Sequence, residues 1–587
     1  MTKKGSARVP ARNKQTFLQG AIILLVATVL VKVIGVLFKM PLTNIIGATG
    51  MGYFNIAYGL FNTLYALSVA GLPVAVAKMV AENAAARRFR DVRRIHHLST
   101  LAFLVTGTVG TLIMFFGAKP YVTFNKNEEA LYAVAVMAPA ILFVCLTSSF
   151  RGYYEGLRNM YPTAVSQVVE ALGKLVFGML FATYMMDKGM TEYEQLGTVF
   201  GKVCASPEHA RLDVLPYAAA GAIAGIAVST VLGTLYLWLR HHVRGDGITQ
   251  SELKNSPMPA GRRKLMRSLV RIAVPVCLGS LVLNITTIID ISSITNRLST
   301  ALAKDSATIL GMYSGAIPFA MEISGVPNFL YGTYTMAVTI FNLVPAITTT
   351  FGVSALPVIA SAWATHNRSE LTRGIESVLR ITSLVAFPAG CGLFALAEPI
   401  LLLLYPSEAA AVQIAAPMLR TLGVAVMFVS LATPVNSMLQ AIGRVNVPVK
   451  LMLVGGALKL TTNYIFIADP SINIQVAPYG TLICYAFILF FSVPILCRSA
   501  ETTISLVQTF FKPFMAAVLC GFCAWATYGL CSKVISQELS TLIAITISGV
   551  FYVVCLFLLR AIVKDDILML PGGEKIAKTL EKKGLIR

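Results

Sequence analysis

A chain of 587 residues that is 56% hydrophobic and only 13% charged has too little polar surface for a soluble globular protein, whose charged share is roughly a quarter. Its mean hydropathy is +0.73, its apolar runs are long enough to cross ~30 Å of hydrocarbon as helices, and it lacks the short alternating segments of a β-barrel. The net charge of +21 reads as Lys and Arg gathered in the loops of a membrane protein, not as a nucleic-acid surface, because no polar domain is large enough to hold a duplex.

The N-terminal tail, 1–16, is basic (Lys3, Lys4, Arg8, Arg12, Lys14). The apolar run that follows is too long for a signal-peptide core and has no small-residue cleavage site, so it is expected to be a retained first helix. Predicted spans fall at 17–38, 52–77, 98–117, 130–150, 162–186, 214–239, 270–294, 329–362, 377–397, 412–437, 448–467, 477–497, 509–531 and 540–562, with a kink expected in the eighth at Pro345 or Pro357. With the N-terminus inside, Lys and Arg concentrate in the inside segments, as in Lys78 to Arg94 and Arg240 to Arg267; both termini are then cytoplasmic and the spans number about fourteen. The tail past Ile562 ends in a basic amphipathic stretch, Glu574 to Lys583, expected to lie on the inner leaflet.

The chain repeats itself. Gly52-Tyr-Phe-Asn-Ile-Ala-Tyr-Gly-Leu-Phe-Asn62, followed by Leu72-Pro-Val-Ala-Val-Ala77, returns as Gly332-Thr-Tyr-Thr-Met-Ala-Val-Thr-Ile-Phe-Asn342 and Leu356-Pro-Val-Ile-Ala-Ser361. Gly156-Leu-Arg-Asn-Met-Tyr-Pro162 before the fifth span returns as Gly443-Arg-Val-Asn-Val-Pro448 before the eleventh. Two six-helix units in one orientation follow, a parallel repeat of the kind that binds substrate near the midplane. The expected organisation is an all-α polytopic protein: cytoplasmic tail 1–16, N-lobe 17–245, basic linker 246–269, C-lobe 270–500, two further helices in 501–563, and a cytoplasmic amphipathic tail 564–587.

Charges inside the spans single out candidate site residues, because each ionisable group at the bilayer centre costs about 2.5–3.5 kcal/mol on insertion scales. Lys174 and Lys459 sit near mid-depth at matching positions of the two repeats, and neither reaches an interface easily. Glu170, one turn before Lys174, is expected to pair with it; Asn463 is one turn after Lys459, for which the sequence offers no obvious carboxylate. Lys32 lies toward the outer end of the first span, Arg420 about two turns from an outer end, and Arg271 and Arg380 near inner ends, where snorkelling suffices. Asp290 is the main acidic exception and a candidate site for a coupling cation. A cavity lined by lysines favours an anion such as a diphosphate headgroup. The six histidines and ten cysteines show no ligand spacing; Cys520 and Cys523 form a CxxC inside an apolar helix with no second pair, so no metal site is expected.

Leu30-Val-Lys-Val-Ile-Gly-Val-Leu-Phe-Lys-Met-Pro-Leu-Thr-Asn-Ile-Ile-Gly47, Gly71-Leu-Pro-Val-Ala-Val-Ala-Lys78, Ser166-Gln-Val-Val-Glu170 and Asn446-Val-Pro-Val-Lys450 resemble, in order and spacing, the stage V sporulation protein B branch of polysaccharide-type flippases. That branch belongs to the multidrug/oligosaccharidyl-lipid/polysaccharide (MOP) exporter superfamily, with the lipid II flippases. The resemblance implies two six-helix lobes around a central cavity, two extra helices that help form a lipid groove, and a polyprenyl-pyrophosphate-linked saccharide as substrate. It places Lys32 and Lys39 near cavity-lining arginines of the lipid II flippases. Asn62 or Thr63 stands where those flippases have a second-helix arginine, and Asn296-Arg-Leu298 where they have Asp-Arg-Leu, which leaves Asp290 as the expected stand-in.

The expectation is therefore a flippase of the bacterial cytoplasmic membrane, not an enzyme, moving an anionic lipid-linked saccharide from inner to outer leaflet by alternating access. It would have no cofactor and would be driven by Na⁺, H⁺ or the membrane potential. Partners are that saccharide lipid and membrane lipids, not nucleic acid; the sequence leaves the oligomeric state open and is compatible with a monomer. The alternatives are a cation-coupled multidrug antiporter of the same superfamily and, further off, a membrane-embedded polysaccharide polymerase, for which no loop carries a catalytic constellation.

Overall fold

The computed structural model describes residues 17–69, 72–283 and 285–561. The basic tail 1–16 and the amphipathic tail 564–587 therefore lie outside the described residues. The chain divides into two compact units. The first comprises residues up to Ile46 and Tyr53–Asn284, the second Gly47–Gly52 and the residues from Ile285.

In the first unit, α1 (Phe17–Val69) is followed by α2 (Leu72–Ala85), α3 (Phe89–Phe124), α4 (Leu131–Gly156), α5 (Tyr161–Leu196), α6 (Pro207–Arg244), the short α7 (Gln250–Lys254) and α8 (Arg262–Leu283). A two-residue antiparallel hairpin, Thr198–Val199 with Lys202–Val203, caps the α5–α6 connection. Helices α5 and α6 pack backbone to backbone: a Cβ on Gly225 would lie 2.2 Å from the Gly178 nitrogen, so glycine is required there.

The second unit runs α9 (Ile285–Lys304), α10 (Ser306–Met312), α11 (Val326–Phe341), α12 (Leu343–Ala364), α13 (Arg368–Ala395), α14 (Ala397–Leu404), α15 (Ala409–Ala441), α16 (Asn446–Phe466), α17 (Ala477–Ala500), α18 (Lys512–Cys531) and α19 (Gln537–Leu558). Its apolar core draws on α12, α13, α15, α18 and α19, with Ile375, Leu379, Val435, Met438 and Leu439 fully enclosed.

Each of the fourteen predicted spans lies largely on described helix, and among the described residues eleven helices are long and apolar enough to cross a membrane. Two differences account for the smaller number. The first two spans are counted as one run, Val26–Ala66, although two helices meet within it at a kink: Gly47, at φ 67° and ψ −179°, is not helical and lies between the two predicted spans. Helix α16 and the α8–α9 stretch are absent from the eleven. The kink in the eighth span falls at Asn342, between α11 and α12, where the Pro345 ring would collide with the carbonyl four residues back.

The repeated glycines prove to be a contact. Within the second unit, a Cβ on Gly332 would sit 1.7 Å from the Ala48 carbonyl oxygen, and one on Gly52 would sit 2.3 Å from Asn328 Oδ1. The Asn328 amide donates to the Thr49 carbonyl at 2.8 Å, and Glu408 accepts the Ala48 N–H at 3.1 Å, which holds the segment after the Gly47 break.

Candidate anion site and its charge-matched counterpart

On α1 the aromatic side chains Phe54, Tyr58, Phe61 and Tyr65 recur at helical spacing and stack in series, with centroids 5.7–6.1 Å apart. Lys39 and Lys174 both face this stripe. The Lys174 ammonium, from α5, stands 4.6 Å from the Tyr58 ring and 5.0 Å from the Phe38 ring; that of Lys39 stands 5.9 Å from the Tyr58 ring and donates to Asn55 Oδ1 at 3.5 Å. Among the described residues neither lysine meets a carboxylate within ion-pair distance. Ring faces stabilise an ammonium by about 0.5–2 kcal/mol without cancelling its charge. Two ammonium groups held over one ring therefore leave net positive charge at this place. Lys32 lies two turns before Lys39 on the same helix face and is exposed.

The expected Glu170–Lys174 pair does not form. Glu170 accepts instead from Arg151 Nη2 at 2.8 Å, while Arg151 Nε donates to Ser166 Oγ at 3.0 Å. Residue 151 was expected in a loop, but α4 continues to Gly156 and carries the guanidinium to α5, whose first turns supply both acceptors. A planar guanidinium that engages a carboxylate and a hydroxyl together outcompetes a single ammonium for Glu170.

The matched position in the second unit is arranged the opposite way. Lys459, 2% exposed on α16, donates to Asp290 Oδ2 at 2.7 Å and to the Thr286 carbonyl at 3.4 Å, both on α9. The Asn463 amide donates to Asp290 Oδ1 at 3.3 Å and Ser293 Oγ at 3.1 Å, and the Tyr334 hydroxyl to Asp290 Oδ2 at 3.5 Å. This partner was not legible from spacing because α9 and α16 are far apart in the chain. Asp290 is thus already neutralised by a tethered cation.

The remaining candidates are peripheral to both clusters. Arg420 on α15 stands 4.0 Å from Glu398, both half-exposed, a pair worth little in stability. Asn296 accepts at its carbonyl from Thr300 and adjoins Arg297, whose guanidinium lies 3.9 Å from the Tyr464 ring. Arg380, expected to snorkel, is 6% exposed instead, because α13 begins at Arg368 and takes it deeper. Sequence reading missed Tyr58, Phe38 and Arg151; the aromatic spacing on α1 was the available signal for the first.

The family profile for polysaccharide biosynthesis proteins matches residues 17–363. The chain belongs to that family. The MatE profile matches residues 319–465. Among curated relatives, family members include the stage V sporulation protein B of Bacillus subtilis, 23% identical over 567 residues that cover 95% of this chain and 98% of the relative. Solved structures of the same fold include a lipid II flippase MurJ in an inward closed conformation (TM-score 0.57, 14% identity, 91% of this chain and 98% of that one). A multidrug-resistance MATE-family transporter of the MOP superfamily, inward-facing, also superimposes (TM-score 0.57, 16% identity, 82% and 99%). This family member is accordingly a multi-pass membrane protein that shares the fold of those transporters.

Proposed function

We propose that the protein flips a polyprenyl-diphosphate-linked saccharide, such as a peptidoglycan precursor or polysaccharide unit, from the inner to the outer leaflet of the bacterial cytoplasmic membrane. The observation that carries this reading is the pair Lys39 and Lys174, two ammonium groups over Tyr58 with no carboxylate to neutralise them. A diphosphate offers the missing negative charge in a form that two ammonium groups accept well. Of the aromatic stripe beside them, Tyr58 and Tyr65 are partly exposed and offer sugar rings a face to stack on, while Phe54 and Phe61 are buried beneath. Lys32, exposed on the same helix face as Lys39, serves the approach of the headgroup. Lys459 is assigned to holding α16 on α9, since its charge is spent on Asp290. The names of the relatives support the same substrate class.

The MATE likeness supports a second reading, a cation-coupled multidrug antiporter. Such a transporter needs carboxylates free to exchange cations. The two candidates, Glu170 and Asp290, are each held by a basic side chain, which favours the flippase. The drive consistent with this arrangement is the membrane potential acting on the uncompensated lysines, about 2.3 kcal/mol per charge per 100 mV.

The test is transport by protein reconstituted in liposomes carrying a fluorescent polyprenyl-diphosphate saccharide, read as its accessibility to a membrane-impermeant quencher. Protein-dependent loss of protection supports the proposal. Protection unchanged by protein, with cationic dye moved instead, contradicts it.

A further inference from the structure

Away from that site, the first unit carries a groove between the first turns of α3 and α8. One part, about 600 Å³, is lined by Leu98, Met266 and Val270 with Arg262, Arg263, Arg267 and Arg271. It shares Leu98 and Arg262 with a second part, about 490 Å³, lined by Arg90, Arg93, Arg94, His97, Leu101 and loop residues.

The two sets of arginines differ in one respect. Those of α3 are engaged by the 246–260 segment: Arg93 pairs with Asp246 at 2.9 Å, Arg90 donates to the Leu253 carbonyl at 3.0 Å, and Arg94 to the Ala260 carbonyl at 2.8 Å. On α8, Arg263, Arg267 and Arg271 follow at four-residue spacing along one face, all exposed, and meet no carboxylate among the described residues. Four-residue spacing stacks them one turn above another. On α8 the ladder runs beside Met266 and Val270, and Leu98 and Leu101 of α3 complete the apolar lining.

We infer that this groove holds an anionic phospholipid of the bilayer, with its phosphodiester on the α8 arginines and an acyl chain along Leu98, Met266 and Val270. A ladder of guanidinium groups that meets no carboxylate among the described residues, running beside an apolar strip, matches a lipid that is anionic at one end and hydrocarbon at the other. A free phosphate would use the ladder and leave the wall bare. The site is independent of the Lys39 and Lys174 cluster and does not rest on the proposed substrate.

The experiment compares binding of phosphatidylglycerol and phosphatidylcholine of identical chains to the full-length protein in detergent, by native mass spectrometry. Wild type should prefer phosphatidylglycerol, about five-fold per engaged arginine. Arg263→Ala/Arg267→Ala should lose that preference while binding phosphatidylcholine as before, and Arg263→Lys/Arg267→Lys should keep most of it. Equal binding of the two lipids by wild type overturns the inference without recourse to any variant. So does a preference that survives the alanine pair. Displacement of phosphatidylglycerol by stoichiometric undecaprenyl pyrophosphate would assign the groove to substrate and overturn it as well.

Discussion

Lys459 Nζ lies 2.7 Å from Asp290 Oδ2, with the side chains 3% and 18% exposed, so the second unit buries a complete ion pair where the first leaves its matched lysine without one. Removing one member strands a buried charge, which costs about 3–5 kcal/mol, whereas removing both does not. Lys459→Met and Asp290→Asn should therefore each lower the thermal unfolding midpoint in detergent sharply, and the double variant should recover much of the loss. Additive losses would show that the two groups do not depend on each other.

Lys174→Ala should behave differently. No carboxylate is left behind, so fold stability should change by no more than about 2 kcal/mol, the upper size of a lost cation–π contact. Binding of a diphosphate lipid should fall about ten-fold or more, as expected when one charge-assisted hydrogen bond worth roughly 1.5–3 kcal/mol is deleted. Tyr58→Leu should weaken the same binding more modestly. A stability loss in Lys174→Ala as large as in Lys459→Met would reveal a structural lysine.

Gly332→Ala places its new methyl carbon 1.7 Å from a backbone oxygen that cannot rotate away. The helices must separate, at about 1–3 kcal/mol or more. Gly529, on α18, has open space around the same position, and Gly529→Ala should leave stability unchanged or raise it by up to about 1 kcal/mol. Unfolding midpoints of the two variants, measured side by side, check the contrast.

Burial pushes the Asp246 carboxyl up, but hydrogen bonds from Arg93, the Ile248 N–H and Tyr153 more than offset it and hold it below its usual range. A carboxyl depressed in the folded state stabilises fully above its unfolded value, near 3.9, and loses that contribution as pH falls through the lower folded value. Asp246→Asn should therefore cost about 1–2 kcal/mol at neutral pH, since Arg93 is partly exposed and rehydrates. The gap from wild type should stay constant down to about pH 5 and shrink below about pH 4. A gap that widens on acidification would contradict this.

Hydropathy runs, Lys174 and Lys459, and the repeated glycines were legible in the sequence because each depends on local spacing or on one copy resembling the other. The partners of Glu170 and Lys459 were not. Arg151 comes from a helix end that hydropathy cannot place to within a turn, and Asp290 comes from a helix 169 positions away in the chain. The break at Gly47 falls between the first two predicted spans, where the glycine takes a φ of 67° that side-chain-bearing residues rarely adopt. The basic tail and amphipathic end are simply outside what the structure describes.

The central claim is that Lys39 and Lys174 read a diphosphate. Binding of undecaprenyl pyrophosphate and of lipid II to the purified protein, with Lys39→Ala and Lys174→Ala beside wild type, tests it most directly. The account predicts tight binding of both lipids by wild type and about ten-fold weaker binding of both by either variant. Undiminished binding by the variants, or cationic dye bound in place of either lipid, would contradict it.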